Sequence, residues 1–348
     1  MTETNRFEKL GSLAWDRGRL DVQALGGMIG PVEVVLDDGR IIRPFAVAPW
    51  GDDPREDWEA TAPPLLKRLR GDWVCLPFGL PGRPRADLSA DWLDGLDRNL
   101  ESPDPAQHGA CSNADWILEK AEPHALTMSF APDAKFPISR IVRRLSVADG
   151  APTIEVETRV AARADCELQW GVHPTFRLPD RPGAFEIAFG GSPTAFTYPG
   201  FFEPGVSGAA HGKVTAGIDA VPMLDGSVRS FAALPLPFDT EELLLVAGHG
   251  GVARLTNRAE GYRIVMEWDP NVFPAVLLWV SNRGRRYPPW NGRHLGLGVE
   301  PVAAPFDLGY AHAVNPKSPL RAHGVATATR FSPERDLETR YRFRFESA

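Results

Sequence analysis

Two short segments of the sequence place an ionisable side chain directly before a proline. In residues 169–178, His173 follows a strand-like stretch and precedes Pro174. In residues 295–301, Glu300 ends an apolar run and precedes Pro301. A carboxylate that closes a buried strand costs free energy unless it is paired or functional. Taken singly, each residue could be structural, as a hydrogen-bonded histidine or a loop-capping carboxylate, but an imidazole and a carboxyl are the usual groups of general acid–base catalysis.

The elements around these residues have the period-two alternation of half-buried strands. Ile154, Val156 and Val160 alternate with charged residues, and segments 262–268 and 341–345 repeat the pattern. Since successive side chains of a strand point to opposite faces, this alternation is typical of antiparallel sheets with one wet face. Proline cannot continue a central ladder, so we expect His173 at a strand end or a sheet edge.

Turn residues divide the chain into many short strands. Segments 32–36 and 41–47 flank Asp-Asp-Gly-Arg, and segments 141–147 and 153–160 flank Ala-Asp-Gly, which predicts two hairpins. The best helical pattern covers 88–96, with Asp87 as its N-cap. Stretches rich in proline and glycine near 77–84 and 198–212 predict long loops. The sequence therefore predicts an all-β, mainly antiparallel sandwich or barrel, organised as one domain over residues 1–348.

Composition and charge argue against several partners. The 348 residues include 38 Lys and Arg against 45 Asp and Glu, a formal net charge of −7, which does not favour nucleic acid. The one arginine-rich stretch, 283–286, is interpreted as a solvated turn. The longest clean apolar run, 273–280, is too short to cross a membrane. Three widely spaced cysteines and a polar N-terminus predict a reducing, cytoplasmic location.

Familiar cofactor and nucleophile signatures are absent from the sequence. It has no P-loop, no strand-linked GxGxxG, no HExxH, no GxSxG and no His/Cys set at metal spacing. We therefore predict no metal and no redox cofactor.

Four segments, in order along the chain, resemble the galactose mutarotase (aldose 1-epimerase) family, including its glucose-6-phosphate 1-epimerase-like branch. His-Pro-Thr-Phe at 173–176 is similar to the segment that holds the family's catalytic acid, and Gly-Val-Glu-Pro at 298–301 to the segment that holds its base. Residues 108–116 resemble the segment whose histidine helps to bind the sugar, and residues 69–79 the segment whose arginine reaches the substrate. The resemblance extends from about Gly26 to the C-terminal strand.

This resemblance implies a β-supersandwich of galactose mutarotase type, in which two large antiparallel sheets hold a monosaccharide across a concave face. It implies His173 as acid and Glu300 as base, with His108 and Arg70 hydrogen-bonded to sugar hydroxyls. We further expect Trp279 to stack on the sugar.

The sequence departs from the family pattern at three places. Ser112 stands where the phosphate-sugar branch has an arginine, which weakens a sugar-phosphate substrate, although Arg68, Arg70 or Arg177 could compensate. Thr175 replaces a tyrosine. The binding aspartate has no clean match; Asp239 is our choice, with Glu241 as the next candidate.

Mutarotation requires only proton transfers, which agrees with the missing cofactor motifs. A base takes the anomeric hydroxyl proton while an acid protonates the ring oxygen, and reclosure of the open aldehyde gives the other anomer. Ordinary pKa values of about 4.3 for glutamate and 6.5 for histidine make Glu300 the base. We expect the carboxylate to raise the pKa of His173.

Two other classes remain open from the sequence. One is a non-catalytic sugar-binding or regulatory relative of the same fold. The other is a carbohydrate hydrolase or lyase, which usually needs two carboxylates, and the sequence identifies no convincing second one. Neither the sugar nor the choice between monomer and homodimer follows from the sequence.

Overall fold

The computed structural model describes residues 9–51, 53, 57–82 and 85–348. The first strands along the chain are β1 (Lys9–Trp15), β2 (Gly18–Gln23), β3 (Ile29–Val35), β4 (Ile41–Ile42), β5 (Val74–Cys75), β6 (Ile117–Glu122), β7 (Ala125–Phe130), β8 (Ile138–Ala148), β9 (Ala151–Ala162), β10 (Cys166–Leu168), β11 (Trp170–Val172) and β12 (Thr175–Arg177). The later strands are β13 (Phe185–Phe189), β14 (Thr194–Thr197), β15 (Val214–Thr215), β16 (Val221–Pro222), β17 (Val228–Arg229), β18 (Ala233–Leu234), β19 (Thr240–Ala247), β20 (Val252–Asn257), β21 (Tyr262–Trp268), β22 (Ala275–Asn282), β23 (Leu295–Ala303), β24 (Thr329–Phe331) and β25 (Leu337–Ser347). The helices are α1 (Pro64–Lys67), α2 (Ala90–Leu93), α3 (Ala110–Asn113), α4 (Tyr310–Val314) and α5 (Pro319–Ala322), preceded by a 3-10 turn at Asp57–Ala60.

Two large antiparallel sheets form the body of the protein. A nine-stranded sheet has the order β18-β13-β20-β21-β25-β9-β8-β7-β6. An eight-stranded sheet has the order β15-β14-β19-β22-β23-β11-β5, and β12 also pairs with β23. Strands β1 to β4 form a smaller sheet, and β10-β24 and β16-β17 are two-stranded. This architecture confirms the predicted all-β, mainly antiparallel fold class.

The nine-stranded sheet follows the predicted alternation. In β9 and β25, Ile154, Val156 and Phe343 are fully buried, whereas the residues between them are exposed. Each fully buried apolar side chain of this kind contributes roughly 1.5–3 kcal/mol relative to an exposed one. The inward rows of this sheet form one side of the main core.

The hairpin predictions hold with one change of length, and the helix prediction was too long. β8 and β9 pair around a turn in which Gly150 has φ 78°, a conformation that favours glycine. β4 ends at Ile42 because Pro44 cannot donate to a ladder, and Phe45 instead forms an isolated bridge with Phe176. Helix α2 covers only Ala90–Leu93 because the chain is already extended at residue 94, and Ser89, not residue 87, precedes its first turn.

The central strands of the eight-stranded sheet are buried on both faces. Every residue of β19 and β22 is buried. Leu244 and Leu278 point into the core shared with the nine-stranded sheet, whereas Leu243 and Leu277 belong to a second core on the opposite face. Short helices and long loops cover this opposite face, and the candidate site lies beneath them.

A buried polar cluster joins the two large sheets. Arg143 of β8 and Asp72, next to β5, are both fully buried, and Arg143 Nη2 donates to Asp72 Oδ2 at 2.5 Å. Tyr341 Oη of β25 donates to the same carboxylate oxygen at 2.6 Å, and Arg143 Nη1 donates to the Gly27 carbonyl at 3.1 Å. Since Trp73 follows Asp72 directly, the cluster fixes the backbone that leads to the site. None of the helices in the described ranges is long and apolar enough to span a membrane.

Candidate active site

A cavity of about 390 Å³ opens over the outer face of the eight-stranded sheet. Strands β22 and β23 supply its floor, and the connection between them, residues 283–294, supplies one wall. The ionisable residues that line it include His108, His173, Arg285, Glu300 and Asp307.

A wider hollow of about 900 Å³ lies along the nine-stranded sheet. Its charged side chains pair across strands, as Arg342 Nε does with Glu267 Oε2 at 2.7 Å. Cross-strand pairing accounts for these charges, so the smaller cavity is the candidate site.

His173 lies at an interruption between two short strands, which confirms the predicted strand end. β11 pairs with β23 through Gly171 and Val302, and β12 resumes the pairing at Thr175 and Gly298. Pro174 has no N–H with which to continue the ladder. The backbone N–H of His173 donates to the Trp73 carbonyl at 2.9 Å, which fixes the backbone that carries the imidazole on the cavity floor.

Glu300 lies inside β23, not at its end, because the strand continues to Ala303. It stands opposite Leu277, so its side chain is on the cavity face of the sheet. Gly298 gives it room: a Cβ at this position would lie 2.2 Å from Glu300 Oε1. The glycine in the predicted Gly-Val-Glu-Pro segment therefore has a steric reason.

The two residues meet directly. His173 Nε2 lies 3.3 Å from Glu300 Oε1, and both side chains are buried. The contact is not a hydrogen bond, and Oε1 has no hydrogen-bond partner among the described residues. A buried, unpaired carboxyl oxygen next to an imidazole is a feature typical of a functional site.

Burial shifts the two pKa values in opposite directions. Loss of solvent raises the pKa of Glu300 well above its ordinary value, and the charge of Asp307 raises it further. Loss of solvent lowers the pKa of His173, and His108 lowers it further. We expected the carboxylate to raise the pKa of His173; that expectation was wrong because a low-dielectric site penalises both charges. Both shifts favour the neutral forms of the two side chains, a protonated Glu300 and an unprotonated His173, over an ion pair.

His108 contacts the pair from the side. Its ring centroid is 5.4 Å from that of His173, in an edge-to-face arrangement. Burial lowers its pKa to about 4, so the ring is neutral at pH 7. Because Nδ1 accepts the Gly79 N–H at 3.3 Å, the ring proton lies on Nε2, which makes this nitrogen a donor.

Aromatic rings surround the pair. Trp73 stacks on His173, with ring centroids 4.1 Å apart and an interplanar angle of 17°. Trp279, the predicted stacking residue, lines the cavity and meets His173 edge to face at 5.8 Å. Trp290 packs against Trp279 at 5.8 Å. Such platforms suit the apolar faces of a sugar ring.

Glu241 and Arg285 support the aromatic wall from behind. Glu241 is fully buried and accepts Trp279 Nε1 at 3.2 Å and Ser281 Oγ at 2.8 Å. Burial raises its pKa to about 7. The Arg285 guanidinium lies 4.8 Å from the Trp290 ring centroid, and its Nε is 2.7 Å from Glu203 Oε2.

The solvated-turn interpretation of 283–286 was wrong for Arg285. Its side chain is only 14% exposed and faces the cavity, whereas that of Arg286 is 76% exposed. The Tyr-Pro-Pro-Trp segment that follows was the available signal, since an aromatic, proline-rich loop between two apolar strands is unusual for a solvated turn.

The structure brings together four of the six predicted site residues: His108, His173, Trp279 and Glu300. Arg70 is buried and does not line the cavity; its Nε donates to the Arg68 carbonyl at 3.1 Å. Asp239 is also outside the cavity, where it pairs with Arg286 at 2.6 Å.

The positions considered for a phosphate group also lie away from the cavity. Ser112 is fully buried, and its hydroxyl, which has one proton to donate, lies 2.9 Å from the Val74 carbonyl and 2.8 Å from the His108 carbonyl, so it holds the loop of His108. Arg177 pairs with Glu260 at 2.6 Å. Within the described ranges, no three His, Cys, Asp or Glu side chains are grouped as metal ligands.

Comparison with known proteins gives the fold a context. No protein-family model matches the sequence, and no curated protein sequence matches it. Among solved structures, a protein from Escherichia coli K12 provisionally named an aldose 1-epimerase is 16% identical, with a TM-score of 0.60 over 98% of this chain and 99% of that one. A galactose mutarotase-like protein from Lactobacillus casei is 14% identical, with a TM-score of 0.59 over 97% and 99%. An aldose epimerase homologue from C. elegans is 11% identical, with a TM-score of 0.59 over 98% and 99%. The chain therefore has the galactose mutarotase-like fold, which confirms the fold that the four segments implied.

Proposed function

We propose that this protein is an aldose 1-epimerase, which interconverts the α and β anomers of a free aldose. The observation that carries this proposal is the 3.3 Å contact between His173 Nε2 and Glu300 Oε1 on the floor of an aromatic cavity. The likeness in fold to mutarotase-like proteins supports it.

In the proposed reaction the pair shares one proton, which the opposite pKa shifts favour on Glu300 before the sugar binds. Hydrogen bonds from sugar hydroxyls stabilise the Glu300 carboxylate, and the face of Trp73 stabilises an imidazolium, so the proton moves across the contact to His173. Glu300 then takes the anomeric hydroxyl proton while His173 protonates the ring oxygen, and the bond between the anomeric carbon and the ring oxygen breaks. The resulting aldehyde group rotates, the freed hydroxyl attacks the other face of its carbon, and each residue reverses its role.

The other side chains of the cavity bind and orient the sugar. His108 Nε2–H donates to a ring hydroxyl, and Trp279 packs on a ring face. From the sequence we expected Arg70 to bind the sugar. We assign this role to Arg285 instead, since Arg285 lines the cavity.

We further propose a cytoplasmic enzyme without a metal or redox cofactor. The reaction consists of proton transfers only. The three cysteines are free thiols, which supports a reducing compartment.

A glycoside hydrolase is the second candidate, and one observation favours it. Asp307 lines the cavity together with Glu300, and hydrolysis usually needs two carboxyl groups beside the bond. The direct contact of Glu300 with an imidazole favours the epimerase.

The optical rotation of freshly dissolved α-anomers tests the proposal. Glucose, galactose, arabinose, fucose and glucose 6-phosphate are followed with wild type and with Glu300→Gln. An accelerated approach to the anomeric equilibrium that the variant loses supports the epimerase. Sugar-dependent tryptophan fluorescence without acceleration would replace it with a binding protein, and release of reducing ends from oligosaccharides would replace it with a hydrolase.

A further inference from the structure

Asp307 is a cavity carboxyl that the epimerase chemistry does not use. One of its oxygens, Oδ1, accepts the Tyr198 hydroxyl at 2.8 Å, and Arg85 Nη1 in turn contacts that hydroxyl at 3.2 Å. The Asp307 backbone N–H also hydrogen-bonds the carboxyl, but within the described ranges no other residue donates to Oδ2. Since Asp307 is half-buried and lines the cavity, a bound ligand can reach this oxygen.

The backbone that presents Asp307 is strained. Phe306, the residue before it, is fully buried and has φ 56°, in the left-handed region that bulky residues rarely adopt. Such conformations persist only where the surroundings enforce them, and they concentrate at functional sites. Phe306 lies in the turn that follows β23, directly before Asp307, whose side chain lines the cavity.

One short segment fixes Asp307 and His108 together. The Leu80 N–H donates to the Asp307 carbonyl at 2.8 Å, and the Gly79 carbonyl accepts the His108 N–H at 2.8 Å. A Cβ at Gly79, whose φ is 96°, would lie 2.7 Å from the Asp307 carbonyl oxygen, so only glycine fits this approach. The position of Asp307 is therefore as well determined as that of the predicted sugar-binding histidine.

We infer that Asp307 is a substrate-binding residue whose Oδ2 bonds one specific ring hydroxyl of the aldose. This inference rests on the proposed function, and it assigns to Asp307 the sugar-binding carboxylate role that we expected at Asp239. A carboxylate oxygen accepts the hydroxyl proton, and a protonated carboxyl donates to the hydroxyl oxygen, so the bond forms in either state. The negative charge of Asp307 also raises the pKa of Glu300, which helps the pair to keep its proton.

A set of single-deoxy sugars tests this assignment. Dissociation constants for the parent aldose and its 2-, 3-, 4- and 6-deoxy forms are measured by tryptophan fluorescence, with wild type and with Asp307→Ala. A hydrogen bond to a charged group corresponds to roughly 10- to 100-fold in affinity. We expect the variant to lose that factor for the parent sugar. For one deoxy sugar, wild type and variant should bind equally.

Tyr198→Phe is the matched control, because it removes the protein partner of Asp307 and leaves the carboxyl in place. It should change the affinity for the parent sugar less than threefold. Like wild type, it should bind the same deoxy sugar more weakly than the parent sugar. Thermal unfolding of all three proteins checks that the fold persists.

The outcomes separate the two proposals. The role of Asp307 is refuted if Asp307→Ala binds the parent sugar as wild type does, or if it loses affinity for each deoxy sugar by the same factor as wild type. Anomerisation by wild type would then still support the epimerase. If wild type binds sugars with the predicted pattern but does not accelerate anomerisation, the epimerase is refuted and the role of Asp307 stands. If wild type binds no sugar, both are refuted.

Discussion

Gly298→Ala is a single-methyl perturbation of the Glu300 carboxyl. The added Cβ would lie 2.2 Å from Glu300 Oε1 and 3.0 Å from Trp279 Cβ. A normal carbon–oxygen contact is about 1 Å longer, so the carboxyl must move by about that distance. Overpacking of this kind costs roughly 1–3 kcal/mol. At about 0.7 kcal/mol per degree for 348 residues, the melting temperature should fall by roughly 1–4 °C.

The catalytic effect should be much larger than the effect on stability. A misplacement of about 1 Å at a reacting group can cost about 10²-fold in rate. We therefore expect kcat for anomerisation to fall about 100-fold while the protein remains folded at 25 °C, as measured by polarimetry and by circular dichroism on the same samples. Gly11→Ala in β1 is the control, because its Cβ would meet only the tip of Leu126 at 3.1 Å. A Gly298→Ala protein with kcat within threefold of wild type would refute the placement of Glu300 at the reacting atoms.

Three further changes test the supporting structure. Glu241→Gln should flatten the pH dependence of stability. The pKa of Glu241 is about 7 in the folded state, against the ordinary value of 4.5. As the pH rises from 4.5 to above 7, the free energy of unfolding of wild type should therefore fall by about 3 kcal/mol, and that of the variant should not. Arg285→Met should raise KM roughly 10-fold with little change in kcat, since it removes a cationic side chain of the cavity to which we assign sugar binding and no proton transfer. Arg143→Met should lower the free energy of unfolding by about 3–5 kcal/mol in urea titrations, because it leaves the buried Asp72 carboxylate without its cation.

Both arginine changes have a neighbour that serves as a control. The Arg286 side chain is 76% exposed, so Arg286→Met should leave KM unchanged. Arg144→Met, next to Arg143 but on the exposed face of β8, should alter stability by less than about 0.5 kcal/mol. Equal effects of Arg143→Met and Arg144→Met, or a Glu241→Gln melting profile parallel to that of wild type, would contradict the assigned roles.

Local sequence patterns predicted most of the nine-stranded sheet and part of the candidate site. The alternation in β9, β21 and β25 records which side of a strand is wet, and that is a local property that survives folding. His173 and Glu300 were found because each is flanked by strand residues and proline. His173 lies between β11 and β12, which both pair with β23, the strand of Glu300, so the meeting of the two side chains follows from the fold.

The missed residues depend on paths of loops that no local pattern encodes. Asp307 lines the cavity directly after Phe306, which has a left-handed conformation. Arg285 is buried in the loop between β22 and β23, where its guanidinium lies 5.8 Å from the Trp279 ring centroid. Conversely, Arg70 matches a familiar segment but turns its side chain to backbone carbonyls, and Asp239 lies at the surface with Arg286. Side-chain direction in these loops is set by long-range packing.

Magnetisation transfer between the anomeric protons of α- and β-aldose tests the central claim most directly, because it observes the exchange itself at equilibrium. Wild type, Glu300→Gln and His173→Asn are compared at equal concentration, after melting curves have shown that each is folded. Wild type should exchange the two signals, and each variant should reduce the exchange rate by roughly 10²–10⁴-fold. Exchange within tenfold of wild type in either variant would contradict the account.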